Sequence, residues 1–390
     1  LVDRAAAELF DRLVPFANGV EGRVTLSPDV WSGDVAGAYH KVDESLEALV
    51  ACAEVTTKDE AMRMTAQRAA QLRTDLAQVT DPSVNHVTWI EARARAVSIG
   101  ASPIELGSLF RDRLIERIGS VVFTSATLTT PVSAFASSPD DTRSELVPSS
   151  TRETSFSFFR GRVGLDEAVT VPVDELSVPS PFDFKRATIL YTPRDLPDVN
   201  DGAFVVRGAA RVAELVALTG GGAFVLCTSV RSMRGFASAL RGNTPGRPLV
   251  QGDAPKLQLL RRFQADGNAV LCATMSFWEG VDVPGDALRL VIMDRIPFAV
   301  PTDPVVMARC RAIEQNGGNA FTSYSVPEAA ITLKQGFGRL IRTRTDRGIV
   351  AILDRRIRTR GYGTRLLAGL PPARRTDRFE DVAAFWTSVV

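Results

Sequence analysis

Lysine and histidine are nearly missing from this chain. Of 46 basic residues only Lys41, Lys58, Lys185, Lys256 and Lys334 are lysines, so its positive charge is almost all guanidinium. His40 and His86 are the only histidines; neither has an evident partner, and no chemistry is assigned to them. Cys52, Cys227, Cys272 and Cys310 are too far apart for zinc or iron–sulfur ligation and read as reduced structural thiols. No apolar run reaches the roughly 18 residues a membrane helix needs, and no signal-peptide pattern is found, so a cytoplasmic, intracellular protein is expected. The net charge of +1 leaves no global field, so a nucleic-acid site must be a local patch.

What remains is ordinary globular material. The chain has 390 residues, 45% hydrophobic and 23% charged, which suggests two or three domains. Leu1 falls inside a helical pattern, which predicts that the sequence is a piece of a longer chain. Residues 1–85 read as mostly helical, with Asp43–Val55 and Asp59–Val79 the clearest segments. In the second, Met62, Ala66, Ala69, Leu72, Leu76 and Val79 make an apolar stripe at helical spacing. Short strands are predicted over His86–Ile90 and Arg95–Ile99, and a helix over Ile104–Arg117. Val121–Thr124 is an apolar, β-branched run, expected to be a buried strand ending at the hydroxyls of Ser125 and Thr127. Residues 132–181, rich in Ser, Pro, Thr and Asp, read as a connector.

From Arg186 onward strands and helices alternate. Strands are predicted over Thr188–Tyr191, Ala223–Cys227, Leu249–Gln251, Ala269–Ala273, Leu288–Met293 and Ile349–Leu353. Helices are predicted over Arg207–Leu218, Val230–Leu240, Lys256–Gln264, Pro304–Glu314 and Ser325–Thr343. This rhythm implies an α/β fold, a parallel sheet with helices on both faces. Thr228 and Ser229, Gln251-Gly-Asp253, and Thr274 to Gly285 each follow a strand. In open α/β sheets that edge is where ligands bind. Gly280 permits close approach, and Asp282 can accept hydrogen bonds from ribose hydroxyls or anchor its loop.

Leu333 to Arg342 sorts by about 100° per residue into two faces. Leu333, Phe337, Leu340 and Ile341 face a core; Gln335, Arg339 and Arg342 fall opposite. Ser325 and Glu328, with Pro327, form a predicted capping box. Two planar guanidiniums and an amide on one stripe suit phosphate oxygens. On charge alone, a solvated Arg face fits as well.

Taken together, these residues resemble the carboxyl-terminal part of a superfamily 2 helicase of the DinG/XPD-like branch. Gln335-Gly-Phe-Gly-Arg-Leu-Ile-Arg342 is similar to motif VI, Phe277-Trp-Glu-Gly-Val-Asp-Val-Pro-Gly285 to motif V, Ser125-Ala-Thr-Leu128 to motif III, and Thr228-Ser229 to motif IV. Trp89 with Pro103, and Ser180-Pro181-Phe182, are further landmarks.

The resemblance implies a split ATP site between two RecA-like domains. Residues 1–85 would be an arch-like helical segment, 86–131 a remnant of the first RecA-like domain, 132–181 a connector, and 182–390 the second RecA-like domain. It implies that Arg339 and Arg342 contact ATP phosphates, with Gln335 sensing the nucleotide. Glu279, Gly280 and Asp282 would organise the cofactor site near ribose. Ser125, Thr127, Thr228 and Ser229 would couple ATP state to the grip on single-stranded DNA. The implied cofactors are ATP and Mg²⁺, with the metal held elsewhere. The implied partners are single-stranded DNA and an amino-terminal RecA-like domain, with no membrane.

The sequence departs from the family's full pattern: it has no G-x-x-x-x-G-K-[ST], no DEAH box and no four-cysteine cluster. Asp59-Glu60-Ala61 and Asp166-Glu167-Ala168 imitate a DEAx box. The first does not follow a buried strand, and the second comes after Ser125-Ala-Thr127, the wrong order. The cysteine cluster of many relatives precedes the matching part of the chain, so an iron–sulfur cluster is left open. This chain alone is therefore expected to lack ATPase activity. Two other readings stay open: a non-catalytic helicase-like scaffold that binds nucleic acid, and an RNA-directed superfamily 2 helicase.

Overall fold

The structure is a computed structural model that describes residues 1–17, 22–55, 59–93, 96–131, 154–165, 172–274, 277, 283 and 287–388. It divides into two compact units. The first comprises Leu1–Val121, Arg162–Leu165 and Ala299–Ala320; the second comprises Val122–Gly161, Asp166–Phe298 and Phe321–Val390.

The first unit is built on helices Val2–Leu13, Gly33–Val55 and Glu60–Thr80, beside an antiparallel sheet of β1 (Arg23–Thr25), β2 (His86–Arg93) and β3 (Ala96–Pro103). Leu9, Leu13, Leu46 and Ile90 are its innermost side chains. Asp59 caps the third helix by accepting from the Ala61 amide at 2.9 Å, and Glu60 pairs with Arg63. The Asp59-Glu60 pair is thus a helix start. Leu72 departs from its expected stripe and is 51% exposed. The inward-facing line passes through half-buried Arg73 instead, which grips Asp43 on the preceding helix at 2.7 and 3.0 Å. The helix expected over Ile104–Arg117 is only Gly107–Phe110, followed by a π-type turn, Arg111–Ile115. Helix Pro304–Gln315 also belongs to this unit, and Arg309 donates to the Ile104 carbonyl at 2.9 Å.

The second unit carries a short ladder, β4 (Thr130–Pro131) with β5 (Thr154–Ser155), and a seven-stranded sheet. The strands are β6 (Thr188–Tyr191), β7 (Ala223–Leu226), β8 (Leu249–Val250), β9 (Val270–Ala273), β10 (Leu290–Met293), β11 (Gly348–Ile352) and β12 (Arg374–Thr376). Their order is β12-β6-β11-β10-β7-β9-β8, and every pairing is parallel. Side chains alternate between two cores. Leu190, Phe224, Leu226, Leu271, Val291, Met293, Val350 and Ile352 point to one face, covered by helices Lys256–Asp266, Val326–Phe337 and Gly361–Ala368. Ile189, Tyr191, Val225, Cys227, Cys272, Ile292 and Ala351 point to the other, covered by Phe204–Thr219, Val230–Leu240 and Phe379–Thr387. Burial on both faces explains why these strands read as continuous apolar runs. The fold is α/β, as the sequence predicts.

Two expectations fail in this unit. Val121–Thr124 is not a strand; Val122 is 81% exposed. A β-branched run becomes a strand only where a neighbour supplies its ladder, and none of the described residues does. The helix expected over Ser325–Thr343 is only Val326–Phe337. Ser325 has helical backbone angles and its side chain makes no cap, because the π-type turn Phe321–Ser325 feeds straight into the helix. No capping box forms. Among the described residues no helix is long and apolar enough to cross a membrane.

Candidate functional site

Side chains tie together the carboxyl ends of β7, β10 and β11, and separately those of β8 and β9. Asp294, directly after β10, is fully buried. Its Oδ1 accepts from the Thr228 amide at 3.0 Å and its Oδ2 from the Ser232 hydroxyl at 2.6 Å. Burial pushes its pKa up to about 6, against the pull of the Ser232 and Thr228 bonds and of Arg295. Ser229 caps helix Val230–Leu240 by accepting from the Ser232 amide at 3.1 Å. Thr228 and Ser229 therefore sit at the carboxyl edge, as expected, on a loop fixed by an acid from the next strand.

Asp354, after β11, is also fully buried. It accepts from the Ile296 amide at 3.0 Å and from the guanidinium of Arg356 at 2.7–3.1 Å. One carboxylate thus ties the loop after β10 to the loop after β11. After β9, the amide and hydroxyl of Thr274 donate to Gln251 Oε1, beyond β8, at 2.7 and 3.0 Å. Phe277 and Val283 are buried in the core beneath. Glu279, Gly280 and Asp282 lie outside the described residues.

The expected Gln335–Arg339–Arg342 stripe does not form, because the helix stops at Phe337. Gly336 and Gly338 weaken the helix there. The chain leaves through tighter bonds, from the Arg339 amide to Gly336 and from the Leu340 amide to Phe337. Leu340 and Ile341 are buried. Asp346 then holds the chain. Its carboxylate accepts from the Arg342 amide at 2.6 Å, the Thr343 amide at 2.7 Å and the Thr343 hydroxyl at 2.6 Å. Arg342 is exposed and Arg339 half-buried. This turn leads into β11, and Leu340 packs beside Gly348 at the start of that strand.

Gln335, on the last helical turn, holds a buried Oε1 that meets no donor among the described residues. An orphaned acceptor there fits a ligand that offers a hydroxyl or amino donor, as a nucleotide does. Burial pushes the neighbouring Lys334 pKa down. Among the described residues no group of three or more acids, cysteines or histidines is placed to hold a metal ion. Ser125 and Thr127 lie in the segment that forms no strand, with their hydroxyls 3.2 Å apart. The structure does not bring them to a strand end.

Sequence reasoning missed Asp294, Asp354 and Asp346. A signal existed for the first two: each closes an apolar run and is followed by arginine, Met293-Asp294-Arg295 and Leu353-Asp354-Arg355. Asp346 has only its place before Gly348 to mark it.

Residues 212–373 match the helicase C-terminal domain family. The chain is 37% identical over 343 residues to the ATP-dependent DNA helicase YoaA of Escherichia coli K12, covering 87% of this chain and 49% of the relative. It is 36% identical over 309 residues to the ATP-dependent helicase DinG of Mycobacterium tuberculosis H37Ra, covering 78% of this chain and 43% of the relative. The chain thus spans about half the length of the curated relatives it matches. A solved XPD helicase shares the fold, with a TM-score of 0.59 at 14% identity, over 96% of this chain and 62% of the other.

Proposed function

The chain corresponds to the C-terminal part of the DinG/XPD-like superfamily 2 helicases, and on that premise we propose that the whole protein is an ATP-dependent DNA helicase. In this reading Arg339 and Arg342 complete an ATP site whose phosphate cradle and Mg²⁺ are supplied by an amino-terminal RecA-like domain. The observation that carries it is the Gly338–Arg342 turn. Leu340 and Ile341 anchor it in the core, Asp346 holds its backbone, and Arg342 is presented at the surface. A guanidinium on a fixed backbone suits charge stabilisation that must be preorganised.

ATP supplies the phosphoanhydride bond whose hydrolysis drives the cycle. Arg339 and Arg342 neutralise negative charge on the transferring phosphoryl group, bidentately and without proton exchange. Gln335 offers its orphaned carbonyl oxygen to a nucleotide donor, so that its helix registers whether the site is filled. Glu279, Gly280 and Asp282 organise the ribose side. Thr228 and Ser229, fixed by Asp294, hand the change to the single-stranded DNA track, and Ser125 and Thr127 do so from the first domain. Residues 1–85 serve as the arch-like segment and 182–390 as the second RecA-like domain.

The test is DNA-stimulated ATPase in the intact protein. Arg342→Ala is expected to lower turnover by about 10³–10⁵, the range for finger arginines, with the fold retained. Arg339→Lys also fails, since lysine lacks the fork. Normal turnover in Arg342→Ala removes the finger role. Comparing stimulation by single-stranded DNA and RNA separates the DNA-directed from the RNA-directed reading.

A further inference from the structure

Three aromatic rings stand together beyond the carboxyl edge of β10 and β11. Phe298 follows β10, Tyr362 follows β11, and Phe321 opens the π-type turn before helix Val326–Phe337. Their centroids form a near-equilateral triangle: 5.5 Å for Phe298–Phe321, 5.5 Å for Phe298–Tyr362 and 5.3 Å for Phe321–Tyr362. Tyr362 meets both neighbours edge-on, at 85° and 72°. Asp354 joins the segment after β10, which leads to Phe298, to the segment after β11, which leads to Tyr362.

The rings are not equally buried. Phe298 and Tyr362 back onto the core of that face. Phe321 is outside that core and 43% exposed. A core satellite would turn its outermost ring inward, since each exposed apolar Å² forgoes about 25 cal/mol. Here two rings hold a third rigid with its surface in water, and the π-type turn that presents it is a geometry frequent at functional sites.

The surroundings are cationic. Arg355, Arg356, Arg358 and Arg360 flank or form the short helix Arg356–Thr359. Arg356 is engaged by Asp354, and Arg358 by Thr192 and Asp377. Arg360 is exposed and, among the described residues, is in no ion pair. It lies near enough to the Tyr362 hydroxyl to favour ionisation, although burial prevails and raises that pKa. An exposed flat ring, with an exposed guanidinium close to the tyrosine that supports it, matches a base followed by its phosphate.

We propose that Phe321, propped by Phe298 and Tyr362, is a base-stacking ledge for single-stranded nucleic acid, with Arg360 meeting the adjacent phosphate. This rests on the reading that the whole protein acts on nucleic acid and adds to it a place where bases are held. Stacking is indifferent to sequence, because every base has a π-face.

The experiment uses the intact protein and a single-stranded oligodeoxynucleotide carrying 2-aminopurine. Binding is read by anisotropy and stacking by the fluorescence of the analogue. Phe321→Ala is expected to weaken binding roughly 5- to 100-fold, the range for one lost base stack, and to abolish the fluorescence change. Phe321→Leu, which keeps the bulk but not the flat face, also loses the fluorescence change; Phe321→Trp keeps it. Arg360→Ala lowers the salt slope of binding by about one, whereas Phe321→Ala leaves the slope unchanged. An oligonucleotide abasic throughout binds wild type and Phe321→Ala alike. If wild type binds the oligonucleotide and hydrolyses ATP while folded Phe321→Ala and Phe321→Leu match it in both readouts, the ledge is wrong and the helicase reading stands. That is also the outcome if the ledge serves a protein partner. If wild type binds no oligonucleotide, both fall.

Discussion

The Ser232 hydroxyl donates to Asp294 Oδ2 at 2.6 Å, joining the helix after β7 to the end of the neighbouring strand β10. The acid is wholly buried, and its pKa of about 6 follows from burial that two hydrogen bonds only partly offset. An unfolded aspartate titrates near 4. Between about pH 4 and pH 6 the folded protein therefore holds a proton that the unfolded chain releases. The stabilising contribution of this group is full below about pH 4 and is lost as pH rises through 6, on the order of 3 kcal/mol in all. Urea unfolding of wild type and Asp294→Asn, which does not titrate, measures it. Wild type should lose stability relative to the variant across that window and run parallel to it above. A pH-independent difference would show that Asp294 titrates normally.

The turn at Arg342 offers a second test. Asp346 accepts three hydrogen bonds there and is buried. Asp346→Ala leaves two amides and a hydroxyl to find other partners, at a cost of about 2–4 kcal/mol if only some of them reach water. Chemical denaturation measures the loss. In the intact protein the same variant should lower ATPase turnover by less than Arg342→Ala does, because the guanidinium is still present but less well held. Turnover equal to wild type would show that the backbone clamp is irrelevant to the arginine.

Much of the sheet was legible because burial on both faces leaves a plain mark. Strands such as Ala223–Leu226 and Leu290–Met293 are short apolar runs with a turn at each end. The motif-like residues were legible as identities but not as geometry. A helical wheel drawn through Gln335, Arg339 and Arg342 assumed that the helix continued past two glycines, and it does not. The Val121–Thr124 run misled for the opposite reason: local propensity was right for a strand, but a strand also needs a neighbour. The Phe298–Phe321–Tyr362 cluster left no local sign, since its rings come from three separate segments. The parallel pairing of β10 with β11 brings two of those segments together.

Gly348, the first residue of β11, carries a packing prediction. A Cβ there would lie 2.5 Å from the Arg289 carbonyl oxygen and 2.5 Å from Leu340 Cδ1. The oxygen accepts from the Ile349 amide within the β10–β11 ladder and cannot move aside cheaply. Gly348→Ala is expected to destabilise the protein by about 1–3 kcal/mol or more, as overpacking does. It should also disturb the Gly338–Arg342 turn through Leu340. Gly361→Ala is the control: nothing lies within 4 Å of its Cβ, and its φ is not positive. Its effect should stay within about 0.5 kcal/mol. Equal thermal shifts for the two variants would show that the close approach at Gly348 is not what limits it.

Asp354 carries the last prediction, because its two duties can be separated. It pairs with Arg356, which is a quarter exposed, and it accepts from the amide of Ile296 across the loop gap. If the ion pair were the main contribution, Asp354→Ala would strand a guanidinium that water can still partly reach. The cost would then be largely recovered by removing Arg356 as well. If the Ile296 bond matters more, Arg356→Ala alone should be mild and the double variant should stay as unstable as Asp354→Ala. The second outcome is expected, since the Ile296 amide is buried with Asp354 as its acceptor, while an ion pair with one partly exposed member is screened. Asp354→Ala should therefore cost about 2–4 kcal/mol, with the double-mutant cycle giving a coupling below about 1 kcal/mol. The same cycle read by single-stranded DNA affinity has a sharper consequence. Only variants that lack Asp354 release the loop after β10 from the loop after β11, so only they should loosen the triangle beneath Phe321 and weaken binding. Arg356→Ala should leave it tight, apart from the salt-dependent loss of one nearby charge.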